Sequence, residues 1–242
     1  MIASGDPTGF AAIGHLLLFG LVLPIAAWIS GRRLDRTEFP PKPQYFASVI
    51  VQQLILGSLS LAAAWRLGLE LFPPFRLTAT GGLLALGFLA VSVALAEPQW
   101  RRAIAERDRR VYLFSPRTGL ERGLWVGISL AAGIFEEVAY RGVMFWVVRE
   151  LTGSIGVAVA VCAVAFGLGH LVQGVKAAAF VAVIGVGFHG LVLATGSLYP
   201  AIVAHVVFDL IAGFRYGRLA DQAAFPAMPP PPLTDSTART PS

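Results

Sequence analysis

The chain contains no asparagine, a single cysteine and few charges of either sign. Each shortage closes off a class of protein. One cysteine, Cys162, can build neither a disulfide framework nor a cysteine-based metal site, and it lies inside an apolar run. Charged residues make up 14% of the 242 residues, where a soluble domain carries about 25%. Walker-type phosphate loops, serine-centred elbows, His-Glu-x-x-His zinc helices and internal repeats are also missing. The stretch Gly185-Val186-Gly187-Phe188-His189-Gly190 spells G-x-G-x-x-G. It lies within an apolar span, with no strand before it and no acidic residue downstream at the expected distance. Its glycines therefore read as points of close helix approach, and not as a dinucleotide site.

What is present is hydrophobic sequence, 56% of the chain, with a mean hydropathy of +0.69. Apolar runs of roughly 18 residues or more recur, the length at which a helix crosses the hydrocarbon core. The expected fold is all-α, a polytopic transmembrane bundle with helices at about 9–30, 45–64, 79–97, 123–148, 154–172, 177–194 and 198–213. That makes seven, or eight if a short or re-entrant piece forms near Leu67–Phe75. Pro98 is expected to end the third helix. The segment Met1–Thr8 holds Asp6, has no Lys or Arg and shows no small-residue cleavage site, so the first run reads as a retained span. Residues 1–213 form the bundle in this reading. Residues 214–242 form a cytoplasmic tail, rich in Pro, Ser and Thr, that is expected to be largely disordered.

The basic residues set an orientation. With the N-terminus outside, the inner segments carry fifteen Lys and Arg and the outer ones three, Arg66, Arg76 and Arg149. This positive-inside asymmetry accounts for an isoelectric point near 9.9 without nucleic acid. The expected location is a bacterial inner membrane, N-terminus out and C-terminus in. The inner connection Gln99–Arg122 mixes arginines with Glu106 and Asp108. It reads either as an amphipathic helix against anionic lipid or as a solvated charged loop.

Three spans carry polar residues that need a partner or a chemical use. Glu136 and Glu137 stand between the apolar runs Trp125–Gly133 and Val143–Val148. A carboxylate at the bilayer centre costs at least about 2.5–3.5 kcal/mol on insertion scales. Glu137 and Arg141 are four apart and share a helix face. Glu136 is turned about 100° from Glu137, which leaves it facing a cavity as a proton acceptor for water. His170 lies near the inner end of the fifth span. His205 and Asp209 are four apart on the seventh, so that Asp209 either fixes the His205 tautomer or donates a hydrogen bond itself. His15 and His189 have no carboxylate at helical spacing and read as packing residues. A buried charge network that only locks packing is the alternative for the cluster.

Taken in order, Glu136-Glu137-x-x-x-Arg141, Phe166-x-x-x-His170 and His205-x-x-x-Asp209 on separate hydrophobic helices resemble the CPBP family. That family comprises the type II CAAX prenyl endopeptidases and the related bacterial Abi proteins. The resemblance covers about residues 123–213, and its members end the third motif in Asn or, in many bacterial proteins, Asp, as here. It implies an intramembrane endopeptidase acting on a membrane-associated or lipidated peptide or protein. Glu136 and His170 would activate water, and His205, supported by Asp209, would stabilise the oxyanion. Glu137 and Arg141 would hold the motif helix, with Phe166 in a supporting place. Zinc on Glu136, His170 and His205 is the metal the resemblance allows. Membrane lipid and the substrate are the expected partners. The alternative from another class is a non-proteolytic scaffold or immunity factor, or a proton or ion conduit, built on the same cluster.

Overall fold

The computed structural model describes residues 7–74 and 78–226. Among these residues every regular element is helical. Helix α1 runs as Pro7–Leu17 and Leu23–Arg36 about a π-helical turn at Leu18–Val22. Helices α2 (Lys42–Arg66), α3 (Ala79–Ala105) and the short α4 (Val111–Phe114) follow. Helix α5 spans Gly119–Thr152 and contains a π-helical stretch, Glu137–Met144. Helices α6 (Ile155–Gly169), α7 (Val175–Thr195) and α8 (Tyr199–Gln222) complete the bundle.

Among the described residues five helices, α1, α2, α3, α5 and α7, are long and apolar enough to cross a membrane, and α6 is a shorter apolar helix. Many of their large side chains point outward, among them Ile13, Leu21, Ile55, Leu86 and Val183. Such a surface suits lipid, since it has no place in water at this density. The fold is that of an integral membrane helical bundle. Helix α5 is its axis: α2 and α8 flank it, α6 lies against its π-helical stretch, and α7 packs along α6. Half or more of α5 is buried, whereas the most apolar windows of α2 and α3 are largely exposed.

Several helix limits differ from the sequence reading. Helix α3 does not stop at Pro98 but continues to Ala105. A proline removes one helical hydrogen bond, but tertiary contacts hold the helix beyond it. Trp100 and Ile104 pack in a core with Val111, Leu219, Ala220 and Phe225. The carboxylate of Glu97 accepts from Arg101 and Arg215 at the same end of the bundle. The same core extends α8 nine residues past the expected limit of 213, to Gln222, so residues 214–222 belong to the bundle. Tail residues 227–242 lie outside the described residues, as does Arg76. Residues 67–74 form no helix, so the eighth helix is α4 and not the piece expected near Leu67–Phe75. The inner connection is neither a surface amphipathic helix nor a solvated loop. Val111, Tyr112 and Leu113 are buried, and Arg109 donates to the carbonyl of Thr37 at 3.0 Å while lying over the Phe39 ring. Apolar residues at its centre draw the segment inward, and the flanking arginines find backbone oxygens there.

Candidate active site

The site is assembled around the start of the π-helical stretch in α5. That helix begins with a capping box: Thr118 accepts from the Glu121 N–H, and the Glu121 carboxylate accepts from the Thr118 N–H. This pairing fixes the helix start firmly. Apolar residues then carry it to Glu136, after which hydrogen bonding changes register over Glu137–Met144. Such π-helical insertions are frequent at functional sites, because they turn side chains out of their ordinary helical phase. A second one, Leu18–Val22 in α1, packs against it. The Phe19 and Tyr140 rings meet edge to face at 5.4 Å, and Gly20 faces Met144.

Small residues then let other helices come close. A Cβ on Gly133 would stand 2.9 Å from the backbone nitrogen of Val206, so α8 lies directly on α5. His205, next to Val206, is thereby brought to the two glutamates. Helix α6 ends at Gly169, and His170 at its C-cap leaves the helical conformation (φ −97°, ψ 10°). Its Nδ1 donates to the Phe166 carbonyl at 2.8 Å. A carbonyl only accepts, so Nε2 of neutral His170 carries a free lone pair, and it faces Glu136.

Glu137 is fully buried and its charge is met twice. Oε1 accepts from Arg141 Nη1 at 3.0 Å and from His205 Nδ1 at 2.8 Å. The Arg141 guanidinium is held further by Phe166, whose ring centre is 4.2 Å away, by Phe188 at 5.0 Å, and by the Gly185 carbonyl. Glu136 is arranged differently. Its Oε1 accepts from Gln53 Nε2 at 2.6 Å. Its buried Oε2 has no hydrogen-bond partner and stands 3.9 Å from His170 Nε2 and 3.8 Å from His205 Nε2. Asp209 Oδ2 is 3.8 Å from His205 Nε2, beyond hydrogen-bond range. The backbone carbonyl of Asp209 accepts from Trp125 Nε1.

The structure thus gathers Glu136, Glu137, Arg141, Phe166, His170, His205 and Asp209 into one cluster. Two relationships go beyond the sequence reading. Gln53 holds one oxygen of Glu136, and the other has no hydrogen-bond partner. The imidazole of His205 is oriented from Nδ1 by Glu137 and not by Asp209, because the packing of α8 on α5 turns Nδ1 away from the Asp209 side. The sequence motifs do not point to Gln53. The signal for it is a polar pair, Gln52-Gln53, in the middle of an apolar helix. His15 also does more than fill space: its Nε2 lies 3.0 Å from the Ala139 carbonyl within the π-helical stretch. His189 is buried with Nε2 unpartnered and its ring 5.3 Å from Phe145.

A cavity of about 770 Å³ opens onto this cluster. Glu136, His170, His205 and Asp209 line it together with Phe166, Phe180 and Phe188. Arg102, Glu106, Asp108, Arg110 and Lys176 also border it. Its lining thus combines aromatic side chains with the polar cluster, charged residues between 102 and 110, and Lys176 of α7.

The family model described as Type II CAAX prenyl endopeptidase Rce1-like matches residues 119–211, from the first residue of α5 to the middle of α8. No curated protein matches the chain, and no solved structure does.

Proposed function

We propose that the chain, whose residues 119–211 match the family model of type II CAAX prenyl endopeptidases, is a membrane peptide hydrolase that cleaves a membrane-associated or lipidated peptide with water activated by Glu136 and His170. The observation that carries the reading is the unpartnered Glu136 Oε2 facing two imidazole nitrogens inside the cavity.

The hydrogen bonds support one arrangement of the protons. Glu136 Oε2 and neutral His170 Nε2 are both acceptors separated by 3.9 Å. A water about 2.8 Å from each, an ordinary hydrogen-bond distance, donates one hydrogen to either side. Its lone pairs then point at an incoming carbonyl carbon. Glu136 takes the proton as water attacks, a general-base step worth roughly 10²–10⁴-fold. Neutral His205 carries its hydrogen on Nδ1, because the Glu137 oxygen facing it is an acceptor. It donates from Nε2 to the tetrahedral oxyanion only as the imidazolium. Glu137 on one side and Asp209 on the other supply the negative charge that this form requires. The proton taken up by Glu136 then passes to the leaving amine.

Glu136, His170 and His205 are donors of the kind that hold catalytic zinc. Among the described residues, however, no group of three or more His, Cys, Asp or Glu is placed to ligate an ion, so no step is routed through a metal. Metal analysis of purified active protein tests this directly: activity with zinc far below one per chain supports the water mechanism as written. Parallel zinc loss and activity loss, restored by zinc, replaces it with a metal-assisted one.

The test of function is cleavage of a farnesylated CAAX peptide in liposomes containing the purified protein. Glu136→Gln, His170→Ala and His205→Ala should each abolish cleavage while the protein stays folded. Full cleavage by Glu136→Gln would remove the base assignment. Full cleavage by all three would transfer the cluster to a non-proteolytic role.

A further inference from the structure

We infer that Gln53, on a helix outside the family-matched segment, is the positioning residue that sets which oxygen of Glu136 does the chemistry. The inference rests on the proposed role of Glu136 as base. Glutamate has a freely turning carboxylate unless one oxygen is fixed. Here the Gln53 amide donates to Oε1 at 2.6 Å, which takes that oxygen out of the reaction and turns Oε2 toward the two histidines. Without that donor the carboxylate has several orientations, and only some put an oxygen within one water of His170.

The contact is built into the helix packing. Four residues along α2 from Gln53, on the same face, is Gly57. A Cβ at Gly57 would overlap the ring of Phe135, the residue that precedes Glu136. Gly57 therefore receives Phe135, and this seating places Gln53 opposite Glu136. Further along the same interface the Phe46 and Trp125 rings meet at 5.5 Å, and Gly127 faces Ile50. The two helices run side by side in one register, and Gln53 is the polar group it presents to the site. Gln52, its neighbour, faces outward and serves as the control.

The choice of an amide also fits the place. An amide donates a hydrogen bond without carrying charge, so it turns the carboxylate without forming an ion pair that would compete with a proton for it. A lysine or arginine here would form one.

The experiment compares Gln53→Met, Gln53→Glu, Gln52→Met and Glu136→Gln in liposomes with the farnesylated CAAX peptide, measuring kcat, KM and thermal stability. Methionine keeps the length and volume of glutamine but cannot donate. Glutamate keeps the shape, and once ionised it repels Glu136. Gln53→Met and Gln53→Glu should lose kcat roughly tenfold to a hundredfold, the scale of a misplaced catalytic group, with KM and melting temperature little changed. Gln52→Met should match the parent. Loss of kcat that tracks a fall in melting temperature in both Gln53 variants would make Gln53 a packing residue only and overturn the inference. So would full kcat in either variant. A Glu136→Gln protein that still cleaves would instead strike the reading of the base itself, and the two failures are distinct.

Discussion

Glu137 Oε1 accepts from His205 Nδ1 at 2.8 Å across the α5–α8 contact while also accepting from Arg141. One buried oxygen therefore ties the orientation of a histidine on the last helix to an ion pair within the central one. The two adjacent glutamates are separated in this way. Glu137 holds the helices in place, and Glu136 keeps an oxygen open to the cavity.

Removing Glu137 should therefore hurt folding more than removing Glu136. Glu137→Ala leaves Arg141 buried without its partner, a loss of about 3–5 kcal/mol. Glu136→Ala strips an oxygen pair from a half-buried place and leaves no buried cation stranded. Thermal melting in detergent, read beside cleavage, should show a destabilised protein in the first case and a stable, inactive one in the second.

Gly133→Ala places a methyl 2.9 Å from the Val206 backbone nitrogen, where backbone must move. Overpacking of this kind costs typically about 1–3 kcal/mol. The expected result is a lower melting temperature together with slower cleavage, because α8 carries His205 away from the glutamates. Gly123→Ala, where nothing lies within 4 Å of a new Cβ, should change neither.

His15→Leu removes the donor to the Ala139 carbonyl in the π-helical stretch. A buried acceptor left unsatisfied costs about 1–3 kcal/mol. Melting temperature should drop, and protection of the 137–144 amides from hydrogen exchange should fall more than that of α7.

Lys42 donates to the Ser115 carbonyl at 2.9 Å and to Glu121 at 3.2 Å, and it lies over the Tyr112 ring. It ties the inner connection to the start of α2. Lys42→Met should loosen that connection, raising protease nicking within 106–117 in inverted vesicles, while α5 keeps its Thr118 cap. The same vesicles test orientation. Cysteines placed at Gln173 or Lys176 should react from the inner side, and one at Arg149 from the outer side. Reversed reactivity would overturn the N-terminus-out arrangement.

The parts of this architecture legible in sequence are those governed by local periodicity. Apolar runs mark the spans, and four-residue spacing marks Glu137 with Arg141, a pair the helix itself creates. What escapes a reading of the residues is decided between helices. Asp209 is four residues from His205 and has the spacing of its partner, yet the contact of Gly133 with Val206 gives that place to Glu137. Pro98 reads as a stop, but the Trp100 and Ile104 core overrides it. Gln53 has no neighbour in sequence that explains it, because its partner is 83 residues away. Nothing in Glu137–Met144 as a string of residues announces a π-helix either. What surrounds it comes from other helices: Phe19 and Phe166 meet Tyr140, and Gly20 faces Met144.

That stretch makes the chain sensitive to length in a way point substitutions do not reveal. A turn closed five residues apart holds one residue more than an α-turn, so it absorbs that residue while the helix on either side keeps its phase. Deleting one residue between Val138 and Val143 would let an ordinary α-helix run straight through. Phe145–Thr152 would then keep its place, with Val147 still buried, while a deletion at Ala139 or Tyr140 would cut the spacing of the Glu137–Arg141 ion pair from four residues to three. A one-residue deletion there should therefore act on the Glu137–Arg141 pair and the cluster around it, whereas a one-residue insertion between Phe145 and Val147 should turn the end of the helix about 100° off its contacts.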